Sequence, residues 1–157
     1  MTGVQTCALP ISWKDETHNL VVNVGLQYMA GVALTSTAQI TSWYIGLYGA
    51  AASNNPAATD TLAIHAGWTE ITPYSGSRPS ATFAAATNAN PSVVTNSASK
   101  ASFSINATAT VGGAFLCSAS SGTTGTLFSA ADFQSPGDRS VVSGDVLTVT
   151  YTFSLSA

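Results

Sequence analysis

One histidine, two carboxylates and a tryptophan lie close together in the sequence, between Asp60 and Glu70. The segment HAGWTE contains His65, Trp68 and Glu70, and a histidine beside a carboxylate is a minimal pair for general acid–base catalysis. A glycosidase needs two carboxylates about 5–9.5 Å apart. Asp60 and Glu70 are the nearby pair, but they stand in loop-like sequence that cannot fix such a distance. The segment thus has suitable residue types without the elements that would hold them.

The motifs with which these groups usually work are missing from the sequence. No G-x-S-x-G turn supplies an activated serine, and no second histidine stands at metal-ligand spacing from His65. The run 121–125 contains glycine but lacks the lysine of a phosphate-binding loop. Asp138 and Asp145 each adjoin a glycine, where a carboxylate commonly binds nearby backbone N–H groups. We therefore predict no catalytic residue, no metal site and no cofactor, and expect a protein that is not an enzyme.

The composition favours a protein that packs against other protein. The 157 residues suffice for one domain, and they are 45% hydrophobic but only 7% charged, against about 25% charged in a typical soluble domain. Ser, Thr, Ala, Asn and Gly must therefore build the surface. Two such surfaces can meet without desolvating many charges, which is the costly step in association. The alternative is a secreted β-domain with an uncharged surface.

Charge and hydropathy exclude several partners. The formal net charge is −3, and the few cations are scattered, whereas nucleic-acid binding needs them clustered. No apolar run reaches the roughly 18 residues that span a bilayer, and no basic segment precedes an apolar one as in a signal peptide. We expect neither a nucleic-acid nor a membrane partner. The four cations are Lys14, Arg78, Lys100 and Arg139.

The first residues differ in character from the rest. Met1–Ser12 read MTGVQTCALPIS, which resembles a translated sequencing adapter at the start of reading frames from environmental DNA. We expect residues 1–16 to be artefactual or disordered, a natural start near or upstream of Trp13, and a single domain over 17–157. Cys7 and Cys117 form no disulfide framework, and Cys117 follows Phe-Leu as a small buried hydrophobe would.

Residues 17–34, THNLVVNVGLQYMAGVAL, predict a helix whose N-terminus is capped by the Thr17 hydroxyl, with His18 at its start. Gly25 and Gly31 weaken such a helix by about 1 kcal/mol each, but they allow another backbone to approach closely. An amphipathic helix that covers a sheet is favoured, because the face has no Lys or Arg rim for a membrane surface. The i, i+4 apolar stripe is Leu20, Val24, Tyr28 and Val32, with Val21 and Met29 beside it.

After Gln39 the pattern changes to short strands. Residues 40–48, ITSWYIGLY, are apolar on both faces, which indicates a central strand or a subunit contact. Val146–Leu155 alternates strictly between apolar and Thr-rich positions, the pattern of a half-buried antiparallel strand. Further strands are predicted at 78–84, 93–94, 100–106, 111–118, 126–129 and 139–142, with a bulge or close approach at Gly112-Gly113. The fold class is mainly β: an antiparallel β-sandwich or jelly roll with one N-terminal α-helix.

Five aromatic residues cluster in one third of the sequence. Trp and Tyr supply large contact area at low entropy cost, so these residues are candidate assembly or ligand contacts. The alternatives are ordinary core filling and a sugar-binding platform. The residues are Trp43, Tyr44, Tyr48, Trp68 and Tyr74.

Several strings carry a likeness to known proteins. They are NLVVNVGLQYM, ITSWYIGLY, DTLAIHAGWTEITPYSGSRP, FSINATATVGGAFLCSASSGTTGTLFSA and RSVVSGDVLTVTYTFSLSA. Together they resemble a group of small proteins encoded among the virion structural genes of tailed phages and prophages. The likeness covers nearly the whole chain after residue 17, and HAGWTE, TVGGAF and SGDVLTVTYT are its most specific motifs.

This resemblance implies a virion component that is made in the bacterial cytoplasm and carries no catalytic residues. It implies a decoration or cement protein on the capsid exterior, whose partners are the major capsid protein and copies of itself, commonly as a trimer. The alternative is a tail or tail-fibre component that touches host glycans.

Overall fold

The computed structural model describes residue 14 and residues 16–50, 56–134 and 137–157. Its paired strands are all antiparallel, and one helix stands near the N-terminus of the described chain. The mainly-β prediction is therefore confirmed, while jelly-roll connectivity stays a prediction. Met1–Ser12, with Cys7, and Trp13 lie outside the described residues. The elements are β1 (Leu20–Val21), α1 (Asn23–Leu34), β2 (Tyr44–Gly49), β3 (Glu70–Ile71), β4 (Ser92–Thr95), β5 (Ala101–Ser104), β6 (Ala109–Cys117), β7 (Leu127–Asp132), β8 (Arg139–Val141), β9 (Val146–Val149) and β10 (Thr152–Leu155).

The main sheet has the strand order β1-β7-β6-β2-β3, with β8 also paired to β6. The strand β2 lies between β6 and β3, and its residues from Ile45 to Tyr48 are buried. The apolar side chains on both faces of β2 require this placement, because successive residues of a strand point to opposite faces. Of the two alternatives for residues 40–48, the central strand is confirmed, and it begins at Tyr44.

Both faces of the main sheet are covered by apolar side chains. On one face, Ile45 and Leu47 belong to a core that includes Phe103 of β5 and receives the inward side chains of β9 and β10. On the other face, Tyr48 belongs to a second core with Leu62 and Trp68 of the segment 56–69. The second core therefore uses a loop, rather than a second sheet, to exclude water.

The predicted strand over Val146–Leu155 alternates as expected but is divided into β9 and β10. The even-numbered residues are exposed, and the odd-numbered ones from Leu147 to Phe153 are partly buried, whereas Leu155 is 60% exposed. The strand β9 pairs with β5, and β10 pairs with β4. The division arises in the partner strand, where residues 96–100 form a bulging turn opposite residues 150–151.

The side chain of Asn96 holds the two halves of this ladder together. Asn96 is 1% exposed; its Oδ1 accepts the Tyr151 N–H at 2.7 Å, and its Nδ2 donates to the Val149 carbonyl at 3.3 Å. Its backbone N–H donates to the Tyr151 carbonyl at 3.2 Å. These bonds replace the strand pairing that the bulge removes, so 146–155 stays extended.

The predicted start of the helix is wrong. The helix begins at Asn23, with no side-chain capping bond, and Thr17 instead donates its hydroxyl to the Asp132 carbonyl at 2.7 Å. His18 precedes β1, whose two residues pair with Ala130 and Ser129 of β7. The open edge of β7 competes for this segment and overrides its helical pattern. The stripe from Leu20 to Val32 is therefore not a single helical face.

The glycine predictions are confirmed at Gly25 and at Gly112, whereas Gly31 lies against the Thr37 side chain and not against another backbone. A Cβ on Gly25 would overlap the Phe128 carbonyl of β7, so α1 approaches the sheet backbone closely. In β6, Tyr48 pairs with Gly113 and Gly49 pairs with Val111, which leaves Gly112 as the extra residue of a bulge. A Cβ on Gly112 would lie 2.8 Å from the Ala50 Cα.

The predicted strand at 78–84 is not a regular strand. It runs beside the start of β2 through a bridge between Tyr44 and Ser80. The Pro79 carbonyl accepts a hydrogen bond from the Ile45 N–H at 3.0 Å, and the Ala81 N–H donates to the Trp43 backbone carbonyl at 2.8 Å. Pro79 has no N–H, which prevents a longer ladder here.

Candidate functional site

Trp68 is the centre of the second core and organises the HAGWTE segment. It is 2% exposed, and its ring centroid lies 3.7 Å from that of His65 in a stacked pair, 5.2 Å from Tyr48 and 5.0 Å from Phe115. Its Nε1–H donates to Asp60 Oδ2 at 2.9 Å. The candidate aromatic contact Trp68 is therefore enclosed by its own chain.

The side chains of His65 and Asp60 both make hydrogen bonds within this segment. Asp60 also accepts the Ala57 N–H at 2.9 Å and so closes the turn that leads to Trp68. His65 Nδ1 lies 2.8 Å from the Trp68 carbonyl oxygen. Both groups hold Trp68 in place, which is a structural use of the residue types that could have served acid–base chemistry.

Glu70 has a different partner. Arg78 is 4% exposed, and its Nε and Nη2 donate to the two carboxylate oxygens of Glu70 at 2.7 and 2.6 Å. Nη1 donates to the Ala119 carbonyl, Nη2 donates to the Gly122 carbonyl, both at 2.8 Å, and Nη1 lies 3.6 Å from Cys117 Sγ. All five guanidinium N–H groups therefore have partners, and Arg78 fastens the turn 118–122 to β3.

A shallow cavity of about 100 Å³ lies beside this ion pair. Tyr74, one of its lining residues, is 4% exposed, and its hydroxyl has no hydrogen-bond partner among the described residues. Burial, and then the charge on Glu70, raise the pKa of Tyr74 to about 12. Because Arg78 has no N–H left to donate, its guanidinium is not available to bind an anion in this cavity.

The other aromatic candidates are divided between core and surface. Tyr48 is fully buried and its hydroxyl donates to Asp132 Oδ1 at 3.4 Å; burial, then that carboxylate, raise its pKa. Trp43 is half-buried, with edge-on contacts to Tyr28 and Phe128 at centroid distances of 5.5 and 5.4 Å. Tyr44 is also half-buried. Of the five aromatic candidates, Trp43 and Tyr44 keep part of their surface available to a partner.

The surface of the described chain carries little charge. Beyond residue 16, the charged residues that are exposed within the described ranges are Lys100, Asp138 and Asp145. Asp145 binds the Val142 N–H at 2.9 Å, as expected for an acidic residue at a turn. Large apolar side chains are exposed as well: Leu20, Leu26, Leu34, Ile64, Val142, Val146 and Leu155. This surface can be covered without desolvating many ions.

Two structural residues escaped the sequence interpretation. Arg78 was one of four scattered cations and Asn96 had no assigned role, yet each is buried and holds two segments together. The sequence did contain one signal for Arg78. A cation that is buried needs a charged partner, and a chain with so few charges offers few candidates. Burial of Cys117 confirms its prediction as a small buried hydrophobe, and burial also raises the pKa of its thiol.

Within the described ranges, no group of three or more His, Cys, Asp or Glu side chains is arranged to hold a metal ion. No helix in those ranges is long and apolar enough to cross a membrane. No protein-family model, curated protein or solved structure matches this chain.

Proposed function

We propose that this chain is a non-enzymatic structural component of a tailed-phage particle, a decoration protein that binds major capsid subunits on the outside of the head. The observation that carries the proposal is the surface: apolar side chains such as Leu34, 85% exposed, and Ile64, 73% exposed, stand on a chain with few exposed charges. Such a surface is suited to permanent contact with other protein.

The internal use of the polar groups supports the same role. Asp60 and His65 hold Trp68, and Glu70 is bound to Arg78. The groups that a hydrolase or a lectin would present to a ligand therefore stabilise loops. A decoration protein needs rigid loops, because it has to keep its shape while the shell beneath it is under pressure.

The mechanism of stabilisation is mass action. A protein that binds the assembled shell, and not free subunits, stabilises the shell by RT ln(1 + [L]/Kd) for each site, about 2.7 kcal/mol at 100-fold excess over Kd. Burial of exposed apolar area contributes roughly 25 cal/mol per Å². The small number of surface charges keeps the opposing desolvation cost low.

Copy number in purified particles tests this proposal. Quantitative mass spectrometry is expected to find about one copy per major capsid subunit, released under conditions that disrupt the head. A few copies per particle would instead identify the alternative, a tail or tail-fibre component. Absence from particles would refute both.

A binding experiment separates shell binding from mere presence in particles. The purified chain is expected to bind expanded empty shells and to raise their melting temperature, but not to bind unassembled capsid subunits. Leu34→Glu and Ile64→Glu change side chains that pack little within the chain, so both variants should fold, and loss of binding would map the contact face. If all exposed apolar sites tolerate glutamate, the apolar surface is not the contact.

Trp68 of the HAGWTE motif is not a suitable residue for a test of glycan binding. Trp68 is buried, so its loss would damage the core whatever the ligand. A glycan array with Trp43→Ala and Tyr44→Ala reports on the two aromatic side chains that retain exposure. Binding that these variants abolish would favour the tail-fibre alternative.

A further inference from the structure

The longest unpaired strand edge in the described part of the chain belongs to residues 146–155. Ile105 donates its N–H to the Asp145 carbonyl, and Asn96 exchanges bonds with the Tyr151 N–H and carbonyl. The register places Leu147 opposite Phe103 and Phe153 opposite Val94. The odd-numbered residues therefore direct their backbone groups toward β4 and β5.

The even-numbered residues of 146–155 must direct their backbone groups to the opposite edge, away from β4 and β5. Successive residues of a strand point their N–H and C=O groups to opposite edges, and β9 and β10 each have one partner strand among the described elements. No described backbone group pairs with this second edge. The unpaired donors and acceptors belong to Val146, Thr148, Thr150, Thr152 and Ser154.

The other side of the same layer is partly covered by the chain itself. Beyond β4, the Ala84 and Thr87 N–H groups donate to the Thr95 and Val93 carbonyls at 2.9 and 3.0 Å. Beyond β5, the Ser75 N–H donates to the Ser104 carbonyl at 3.2 Å. Among the described residues, the layer is thus covered over much of one edge and has no backbone partner along 146–155 at the other.

Nothing in the open strand protects it from another strand. Folded proteins usually guard such edges with lysine, other charges, proline or a bulge in the edge strand. Residues 146–155 read VLTVTYTFSL and contain no charge and no proline, and the bulge lies in the partner strand at 96–100. An unguarded edge of this length is suited to backbone pairing.

We infer that this edge pairs with the same edge of a second copy of the chain, antiparallel, about a twofold axis at Thr150. In this register Thr150 faces Thr150, Thr148 faces Thr152, and Val146 faces Ser154. Thr–Thr pairs are favourable neighbours across antiparallel strands. The two layers then join into one continuous sheet across the pair.

The strand's own sequence selects this occupant and this register. About Thr150 the pattern is nearly symmetric: on the inward face Val149 meets Tyr151 and Leu147 meets Phe153, so apolar side chains adjoin apolar ones. The exposed face carries Thr, Ser and Val on both copies, with no like charges to repel. An axis at Thr148 instead draws in the turn at Gly144. An axis at Thr152 runs past Leu155, where β10 ends, so both of these registers give shorter overlaps.

Amide hydrogen exchange tests the pairing through residue parity. At any protein concentration, the amides of Leu147 and Phe153 should be protected by β5 and β4. The amides of Thr148, Thr150 and Thr152 should become protected only as concentration rises and the mass by light scattering moves from 15.9 kDa to twice that value. Fast exchange of the even-numbered amides in an associated sample would refute pairing at this edge.

Charge variants test the register. Thr150→Lys places two lysines opposite each other at the axis, and Thr150→Asp places two aspartates there. Because like charges repel, each variant alone should be monomeric. An equimolar mixture should recover the doubled mass as a heterodimer. The matched control is Ser102→Lys. Ser102 is exposed directly opposite Thr148, but it lies on β5, which β9 separates from the proposed edge, so this variant should pair normally. Circular dichroism confirms that each variant is folded.

The pairing does not depend on the proposed capsid role, and its failure is distinguishable from failure of that role. A wild-type chain that is monomeric at about 1 mM, or trimeric with freely exchanging even-numbered amides, overturns the edge inference and leaves copy number in particles to decide the function. Association that Thr150→Lys leaves intact also overturns it.

Discussion

Arg78 combines nearly complete burial with a full set of hydrogen-bond partners. Its planar guanidinium binds Glu70 through two bonds and two carbonyls of the turn 118–122 through two more. Lysine carries three donors on a flexible stem and cannot reproduce this fork. The residue therefore specifies the conformation of the turn as well as neutralising Glu70.

Arg78→Lys should lower the free energy of unfolding by about 2–3 kcal/mol, since it leaves buried carbonyls and part of the carboxylate without donors. Urea denaturation followed by tryptophan fluorescence measures the change. Lys100→Arg, at an exposed site, is the control and should stay within about 0.5 kcal/mol of wild type. Equal effects in the two variants would contradict the role given to Arg78.

The buried Tyr74 and the partly buried Tyr151 have opposite hydrogen-bond status. The Tyr74 hydroxyl has no partner in the described chain, whereas the Tyr151 hydroxyl binds Ser129 Oγ at 2.8 Å and Asn19 Nδ2. Tyr74→Phe should therefore be neutral or stabilising by up to about 1 kcal/mol, and Tyr151→Phe should cost about 1–2 kcal/mol. Thermal unfolding of the two variants at neutral pH makes the comparison. A large loss in Tyr74→Phe would reveal a partner for its hydroxyl.

The same two hydroxyls predict an alkaline limit to stability. Burial raises the pKa of each to about 12 in the folded chain, against about 10 in the unfolded chain. Between these values the unfolded state releases protons that the folded state retains, so the unfolding free energy falls as pH rises. Stability should be undiminished by these groups below pH ~10 and decline up to pH ~12. Urea titrations along this range should show a shallower decline in Tyr74→Phe.

At the scale of elements, local pattern predicted some features and missed others for identifiable reasons. The alternation in 146–155, the central position of β2 and the bulge at Gly112 follow from side-chain periodicity and from glycine. The start of α1 and the division of 146–155 do not, because the open edge of β7 and the buried amide of Asn96 act across more than 50 residues of sequence. The partners of Trp68 and Glu70 were not predicted either, because the loop conformations that bring Asp60 to Trp68 and Arg78 to Glu70 do not follow from sequence spacing.

Gly25 and Gly31 in α1 provide a matched test of helix docking. Alanine is preferred to glycine in a helix by about 1 kcal/mol. At Gly25 the new methyl group would overlap the rigid Phe128 carbonyl, while at Gly31 it would meet the Thr37 side chain, which can move. Gly25→Ala should therefore destabilise by about 1–3 kcal/mol, and Gly31→Ala should be close to neutral or stabilising. Chemical denaturation measures the unfolding free energy of both variants. A Gly25→Ala variant as stable as wild type would mean that α1 can move away from β7 without cost.

At the scale of the whole molecule, burial shows which apolar and aromatic residues fill the cores and which remain on the surface. Tyr48, Trp68 and Tyr74 fill the cores, while Leu26, Leu34 and the Thr-rich face of 146–155 remain outside. Composition indicated an association surface but could not locate it, because aromatic and aliphatic residues serve both purposes. The location comes from strand pairing in the folded chain, where the edge 146–155 has no backbone partner among the described residues.

A surface with so few charges should associate almost independently of salt. Coulombic contacts between exposed groups weaken as the screening length falls to about 8 Å near physiological ionic strength, whereas backbone pairing and apolar burial do not. The dissociation constant of the self-paired chain should change by less than about threefold between about 0.05 and 0.5 M NaCl. The mixture of Thr150→Lys with Thr150→Asp is the internal control, since its exposed ion pair should weaken visibly over the same range. Analytical ultracentrifugation measures both; a steep salt dependence of the wild-type chain would mean that Lys100, Asp138 or Asp145 carries the contact, and not the uncharged strand.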